Sequence, residues 1–386
     1  MSVSTKTRVF FYVQHLLGIG HLRRAALLCR AMSLAGYDVA MAMGGMPVPN
    51  LDVGDSKIVQ LPPLRIGDGG FNDLVDQAGG KVDEAWKTAR RERLIAAFEA
   101  HAAHVLITEA FPFGRRQMRF ELMPLLEAAA RQDLPPLVVC SVRDLLKSRL
   151  KPGRAEETVD LITEYYDLVM VHGDPSFAEL RETFPGADAF AAKIRYTGMV
   201  APPKADAGRP ASDMPAVLVS AGGGAVGERL FRTALEARPL SRFGSASWWL
   251  LVGPNFAEES LEELRRSAPD GVRIERYRKD FPALLESCAV SVSQAGYNTV
   301  ADILQSGAAA VLVPFDLDGE DEQPRRAAKL AALGRVQSIV GDELTPESLA
   351  DAIDRAADAP EVECTLDLCG AAHSVAVLRQ AIEKRG

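Results

Sequence analysis

The chain has 386 residues, 47% hydrophobic and 25% charged, with a formal net charge of −8 at pH 7. At roughly 100 to 200 residues per domain this length implies about two globular domains, and a composition so close to the soluble average excludes a disordered tail. The acidic balance argues against a general nucleic-acid binder, so any basic site must be local.

From residue 8 the pattern runs RVFFYVQH, LLGIG, HLRRAALLCRAMSLAG, YDVAMAMGG: an apolar run, a glycine loop, an amphipathic helix and another apolar run. Such a βαβ opening, with continuous apolar strands, predicts a parallel sheet covered on both faces. Similar strands recur at 105–110, 137–142 and 167–173, with the helical stretch DEAWKTARRERLIAAFEAHAAH among them. Residues 1–200 therefore read as one Rossmann-like domain. The stretch APPKADAGRPASDMP, 201–215, reads as a linker. The rhythm restarts at AVLVSAGGG and continues through SWWLLVG, VRIERY, AVSVSQAG and AAVLVPF, so residues 216–370 read as a second Rossmann-like domain. A last helical segment, 371–386, either finishes this domain or crosses back to the first. The expected class is α/β: two doubly wound domains facing across a cleft, with ligands at the carboxyl ends of the strands.

The five cysteines, Cys29, Cys140, Cys288, Cys364 and Cys369, are scattered and odd in number, and read as core thiols in a reducing compartment. No apolar run approaches the ~20 residues of a transmembrane helix, and MSVSTKTRVFFYVQH lacks a secretory cleavage site. The expected location is cytoplasmic, with the inner face of the membrane as the place of any lipid-linked acceptor.

Chemistry concentrates in three loops. In Gly18-Ile19-Gly20-His21-Leu22-Arg23-Arg24 the glycines allow a tight turn and close approach of a ligand, while His21 opens the following helix. Its ordinary pKa of about 6.5 suits acid–base work. Arg23 stands where the third glycine of a dinucleotide fingerprint would fall, which disfavours that site. Ser220, Gly222 and Gly223 belong to a second loop, between strand and helix, that leaves room for a diphosphate; a bare turn is its plainer reading. The third segment, SQAGYNTVADILQSGAAAVLVPF followed by EQPRRAAKLAALG, is the most informative. Its helix start at Gly296, Tyr297, Asn298 and Thr299 suits a phosphate, Asp302 suits a ribose diol, and Gln323 suits sugar hydroxyls.

This segment resembles the nucleotide-sugar site of GT-B glycosyltransferases, especially the N-acetylglucosaminyltransferases that make the peptidoglycan lipid intermediate. The resemblance implies that Gly296 to Thr299 hold the diphosphate of a UDP-sugar, Asp302 the ribose, and Glu322 with Gln323 the sugar. It also implies that Tyr277, Arg278 and Phe281 belong to the segment whose backbone reads uracil. The usual ribose ligand of the family is glutamate, and its N-terminal acceptor motifs are absent here, so the acceptor is not carried over. The GIGH loop is similar to that of the UDP-sugar hydrolase of pseudaminic acid synthesis, whose histidine is catalytic.

In the first domain Glu109, Arg143 and Asp144 end strands, where cleft residues are expected. Glu109 or Asp144 is the candidate to orient His21 or to act as base itself. Between Phe111 and Arg154 nine basic residues face four acidic ones, interleaved with Phe111, Phe113, Leu145, Leu146 and Leu150. Solvated helix faces are one reading; an anionic membrane or a phosphorylated acceptor is the other. Asp316-x-Asp318 and the pair His101 and His104 are not read as metal sites, and no cofactor is expected. The expected function is an inverting, metal-independent transfer of sugar from a UDP-sugar to a hydroxyl acceptor. The rivals are a UDP-sugar hydrolase and a non-catalytic nucleotide-sugar-binding subunit.

Overall fold

A computed structural model describes residues 6–16, 18–67, 73–148, 152–204, 214–222, 227–253, 256–276, 278, 280–316, 319, 321–360 and 363–385. Gly223, Tyr277, Leu150, Asp318 and most of the 201–215 linker lie outside these residues. The chain divides into two compact units. One comprises Met1–Leu146, Leu150–Val200 and Cys369–Gly386, the other Lys147–Arg149 and Ala201–Leu368.

The first unit runs β1 Arg8–Val13, α1 Gly20–Leu34, β2 Asp38–Met43, β3 Lys57–Gln60, β4 Leu64–Ile66, β5 Leu74–Asp76, α2 Glu84–His101, β6 Val105–Glu109, α3 Arg119–Ala130, β7 Leu137–Arg143, α4 Arg154–Tyr165, β8 Leu168–His172 and β9 Ile194–Tyr196. Seven strands pair in the order β3-β2-β1-β6-β7-β8-β9, every pair parallel, while β4 and β5 form a small antiparallel ribbon. The strands are apolar on both faces because both are covered. With a side-chain period of two, Phe10 and Tyr12 pack with Phe98 of α2 and Leu122 of α3. Val9, Phe11 and Val13 face the other way, onto Leu22, Leu28 and Met32 of α1. Strand order reverses between β1 and β6, and the crevice at their carboxyl ends is where such a sheet offers a ligand site.

The second unit runs β10 Val217–Ser220, α5 Glu228–Ala237, β11 Trp248–Val252, α6 Glu258–Ser267, β12 Val272–Arg276, α7 Phe281–Ser287, β13 Val290–Ser293, α8 Tyr297–Ser306, β14 Ala310–Leu312, α9 Glu322–Ala332, β15 Gln337–Ser338 and α10 Pro346–Asp358. Its parallel order is β12-β11-β10-β13-β14-β15, so the reversal falls between β10 and β13.

The last helix, α11 Gly370–Glu383, belongs to the first unit. Val375 and Leu378 join the apolar cluster of α1, and a bridge between Val200 and Cys369 leads into the helix. A Cβ on Gly370 would lie 2.4 Å from the Gly198 carbonyl oxygen, so only glycine allows this approach. Cys29 and Cys140 are buried, but Cys369 is exposed at the start of α11, which corrects the reading of all five cysteines as core thiols.

Candidate active site

His21 lies in the first turn of α1, directly after β1, and Glu109 is the last residue of β6. These are the two strands that flank the reversal of the first sheet, so topology brings together residues 88 positions apart. His21 Nδ1 is 2.9 Å from Glu109 Oε1. Arg24, one helical turn after His21, donates through Nη2 to the same oxygen, and Ser141 of β7 donates to Oε2 at 2.6 Å. The chain of contacts continues from Ser141 Oγ to His172 Nε2 at 2.8 Å, and from His172 Nδ1 to Thr197 Oγ1 at 2.9 Å. Glu109, Ser141, His172 and Thr197 are all buried, whereas the His21 side chain keeps 19% of its surface exposed.

Electrostatics follow from this packing. Burial by itself raises the Glu109 pKa, but the Arg24 guanidinium, His21 and the Ser141 hydroxyl outweigh it and bring the carboxyl down to about 2. Burial, then the Arg115 guanidinium, holds the His21 imidazole below its ordinary 6.5, against the opposing pull of Glu109. His172 falls to about 3, again through burial first and Arg24 second. An ionised Glu109 accepts only, so His21 must donate Nδ1–H to it, which leaves the lone pair on Nε2. That arrangement suits a general base whose charged form is stabilised from behind.

Arg115 donates Nε–H to the Gln14 carbonyl at 2.8 Å, next to the first loop, and burial together with Arg143 brings its pKa down to about 10. It is carried there by a loop with left-handed backbone at Ala110 and at Arg115 itself. Beneath the end of β1, Arg90 of α2 donates to Glu121 at 2.6 and 2.9 Å and to Gln14 Oε1 at 2.7 Å, and Tyr12 donates to Glu121 at 2.5 Å. This buried, paired network fixes the end of the strand from which the His21 loop departs.

Of the two carboxylates proposed as partners of His21, Glu109 makes the contact. Asp144 is buried against Gly173 and accepts the Leu145 N–H at 2.8 Å. The roles of Arg24, Ser141, His172 and Thr197 were not foreseen from the sequence. The available signal was a polar residue closing an apolar strand, seen at Glu109 and again at His172. The basic stretch also differs from expectation. Phe111 and Leu145 are core residues, Phe113 packs on Phe184 and Phe190, and Arg116 and Arg119 both engage Glu157 of α4. Among the described residues its phenylalanines and Leu145 are therefore spent on the interior, and Arg116, Arg119 and Arg131 are in ion pairs.

In the second unit the loops after β10 and β13 meet. Ser220 Oγ accepts the Gly222 N–H at 3.2 Å, and Gly222, at φ +71°, is so placed that a Cβ would lie 3.7 Å from Thr299 Oγ1. Gly296 caps α8 and has open space where a Cβ would point, so the positive end of the helix dipole at Gly296 to Thr299 can be approached closely. Tyr297 is buried beneath the Arg326 guanidinium, and Asp302 is buried on the same helix. Gln323 Oε1 accepts the Phe315 N–H at 3.1 Å, which orients its amide nitrogen away from the strand end. Glu322, expected beside Gln323 as a sugar ligand, is instead buried in an ion pair with Arg326 at 2.9 Å. Arg278 is held by Glu275 and Asp280 and stacks on Trp249, while Phe281 opens α7. Among the described residues no group of three His, Cys, Asp or Glu side chains is placed to hold a metal. His101 and His104 bond to the backbone of Asp38 and Arg8.

Comparison with solved structures bears on the architecture as a whole. The calicheamicin glycosyltransferase CalG4 aligns with a TM-score of 0.59 at 16% identity, over 98% of this chain and 95% of that one. MurG from Acinetobacter baumannii gives the same score and identity over 97% and 99%. The fold is GT-B. Within this GT-B chain, residues 217–379 match the glycosyltransferase family 28 C-terminal domain. Sequence relatives align in part. The UDP-N-acetylglucosamine--N-acetylmuramyl-(pentapeptide) pyrophosphoryl-undecaprenol N-acetylglucosamine transferase of Brucella anthropi is 28% identical over 36% of this chain and 38% of its own length. The enzyme of the same name from Lactiplantibacillus plantarum is 30% identical over 37% and 39%. The chain thus spans about two fifths of the length of these curated relatives. No helix among the described residues is long and apolar enough to cross a membrane.

Proposed function

We propose that this chain is an inverting glycosyltransferase that moves a sugar from a UDP-sugar to a hydroxyl acceptor without a metal ion. The observation that carries the proposal is the His21–Glu109 pair at the strand reversal of the first sheet, in a GT-B chain whose residues 217–379 match a glycosyltransferase domain. In the reaction, His21 Nε2 takes the acceptor hydroxyl proton as its oxygen bonds to the anomeric carbon. The bond from that carbon to the diphosphate oxygen breaks, and UDP leaves. Glu109 stabilises the imidazolium as it forms.

The donor site proposed is that of the second unit. Gly222, Gly223 and the start of α8 from Gly296 to Thr299 meet the diphosphate, and Asp302 takes the ribose. Gln323 takes the sugar, and the segment of Tyr277, Arg278 and Phe281 reads the base. The names of the relatives make UDP-N-acetylglucosamine the first donor to try. The acceptor class proposed is a lipid-linked or other glycoconjugate precursor, which would bring the enzyme to a membrane through its substrate. The deciding experiment measures UDP release from UDP-N-acetylglucosamine and other UDP-sugars, with and without candidate acceptors. Release that depends on acceptor, with a product of inverted anomeric configuration, is expected. Equal release without acceptor would make the protein a hydrolase, and none with any donor would refute the assignment.

A further inference from the structure

The proposed chemistry uses His21 and the near oxygen of Glu109, yet the polar chain continues inward through Ser141, His172 and Thr197. These groups come from adjacent parallel strands: Glu109 from β6, Ser141 from β7, His172 from β8, and Thr197 from the residue after β9. All are buried, a setting in which a polar group with an unmet proton or lone pair is costly.

Proton directions along the chain follow one from another. An ionised Glu109 accepts at both oxygens, so the single Ser141 proton is committed to Oε2. Ser141 Oγ must then receive its contact from His172, which places a proton on Nε2 of that ring. The Nδ1 of a neutral His172 is left as acceptor and takes the Thr197 hydroxyl. If His172 gains a second proton on Nδ1, Thr197 has another acceptor in the Gly198 carbonyl at 3.2 Å. Both protonation states of His172 therefore leave every member bonded, and both keep Nε2–H pointed at Ser141. The charged groups around this ring are Arg24 from α1, Glu109 from β6 and Arg143, its register partner on β7.

We propose that His172 is a positioning residue: by donating to Ser141 it commits the Ser141 proton to Glu109, and so holds the carboxylate that keeps the His21 proton on Nδ1 and its lone pair on Nε2. The proposal rests on the reading of His21 as the base, but its central claim concerns the state of the His21 ring and can be measured without turnover. The full-length chain, labelled with 15N at its histidines, is compared as wild type, Ser141→Ala, His172→Leu and His172→Gln by long-range 1H–15N correlation across pH. His21→Ala identifies the His21 signals among the six histidines. UDP release is followed in parallel.

His21 is expected as the Nδ1–H tautomer in wild type. Ser141→Ala and His172→Leu should shift it toward a mixture of tautomers and lower kcat by about tenfold, with donor KM unchanged within about twofold. His172→Gln should restore most of both properties, since its amide can donate to Ser141 and accept from Thr197. An unchanged His21 tautomer in folded Ser141→Ala overturns the proposal, and so does a His172→Gln variant that behaves like His172→Leu. Ser141→Ala changes little volume and decides the matter if His172→Leu does not fold. If no variant or wild type turns over any donor, the functional reading fails, while the tautomer measurement still accepts or rejects the role of His172.

Discussion

Replacing Glu109 by glutamine keeps the shape of the side chain and removes one charge. In the folded chain that carboxylate receives His21, Arg24 and Ser141, and is held near 2 against an ordinary glutamate value of 4.5. A difference of that size corresponds to about 3 kcal/mol in favour of the ionised side chain in the folded state. Glutamine loses it, because its amide nitrogen sets donor against donor at Arg24 or at Ser141, and the negative charge that faces Arg24 is gone. Removing one partner of a buried ion pair costs about 3 to 5 kcal/mol, in agreement with that figure. At roughly 2 to 4 °C per kcal/mol for a unit of this size, Tm should fall by about 6 to 20 °C. Chemistry should suffer separately. Without the carboxylate, the raising influence of Glu109 on the His21 pKa is lost while burial and Arg115 still lower it, and the imidazolium formed in the reaction loses its stabiliser, so kcat should fall by ~10² to 10⁴. Thermal unfolding by circular dichroism, UDP release well below Tm and calorimetric titration with UDP separate these effects, with UDP affinity expected to hold. A kcat within about threefold of wild type, less than ~1 kcal/mol of barrier, would refute the coupling of Glu109 to His21.

Asp302→Ala should weaken donor binding by about 10- to 150-fold, the equivalent of 1.5 to 3 kcal/mol for a charge-assisted hydrogen bond, with kcat for bound donor little changed. Unchanged UDP affinity would remove Asp302 from the ribose site. His21→Ala should lower kcat by ~10² to 10⁴ and leave UDP affinity alone; near wild-type turnover would transfer the base role elsewhere. Stability should fall as the pH drops from 6.5 toward 3. The unfolded chain protonates His21 and His172 in that window, while folded His172 resists until about 3. Below 4.5 the loss of Glu109 ionisation in the unfolded chain adds to the fall, and is complete only below about 2. His172→Gln should flatten the upper part of the curve, and a melting profile as steep as wild type would show that another group titrates there. Gly227→Ala should destabilise by about 1 to 3 kcal/mol, since φ is +121° and its Cβ would lie 2.2 Å from that of Ala221; an unchanged Tm would contradict this.

The two sheets and their loops were legible because strands buried on both faces spell continuous apolar runs, and glycines mark where those runs turn. His21 was legible for the same reason, as the only histidine in a glycine-flanked strand-to-helix loop. Its support was not. Glu109, Ser141, His172 and Thr197 are spread over 88 positions, and only the parallel order β6-β7-β8-β9 makes them neighbours. Arg24 reads as one more cation of an amphipathic helix until its burial is seen. Glu322 and the Phe111 to Leu146 stretch misled in the opposite direction: side chains that look ligand-ready or membrane-ready in sequence are consumed by an ion pair and by the core.

The return of α11 sets an order of assembly. On the ribosome, residues 6–200 emerge early, but the apolar cluster that α1 builds with Val9, Phe11 and Val13 lacks Val375 and Leu378 until the last helix has been made. Residues Ala201–Leu368 of the second unit are synthesised in the interval. The strand end that presents Thr197 to His172 is clasped late as well, when Gly370 settles onto Gly198 and Met199. The half of the molecule begun first is thus completed last, and a chain cut short before residue 370 would carry a finished second unit beside a first unit with an open apolar flank and an unclasped polar relay.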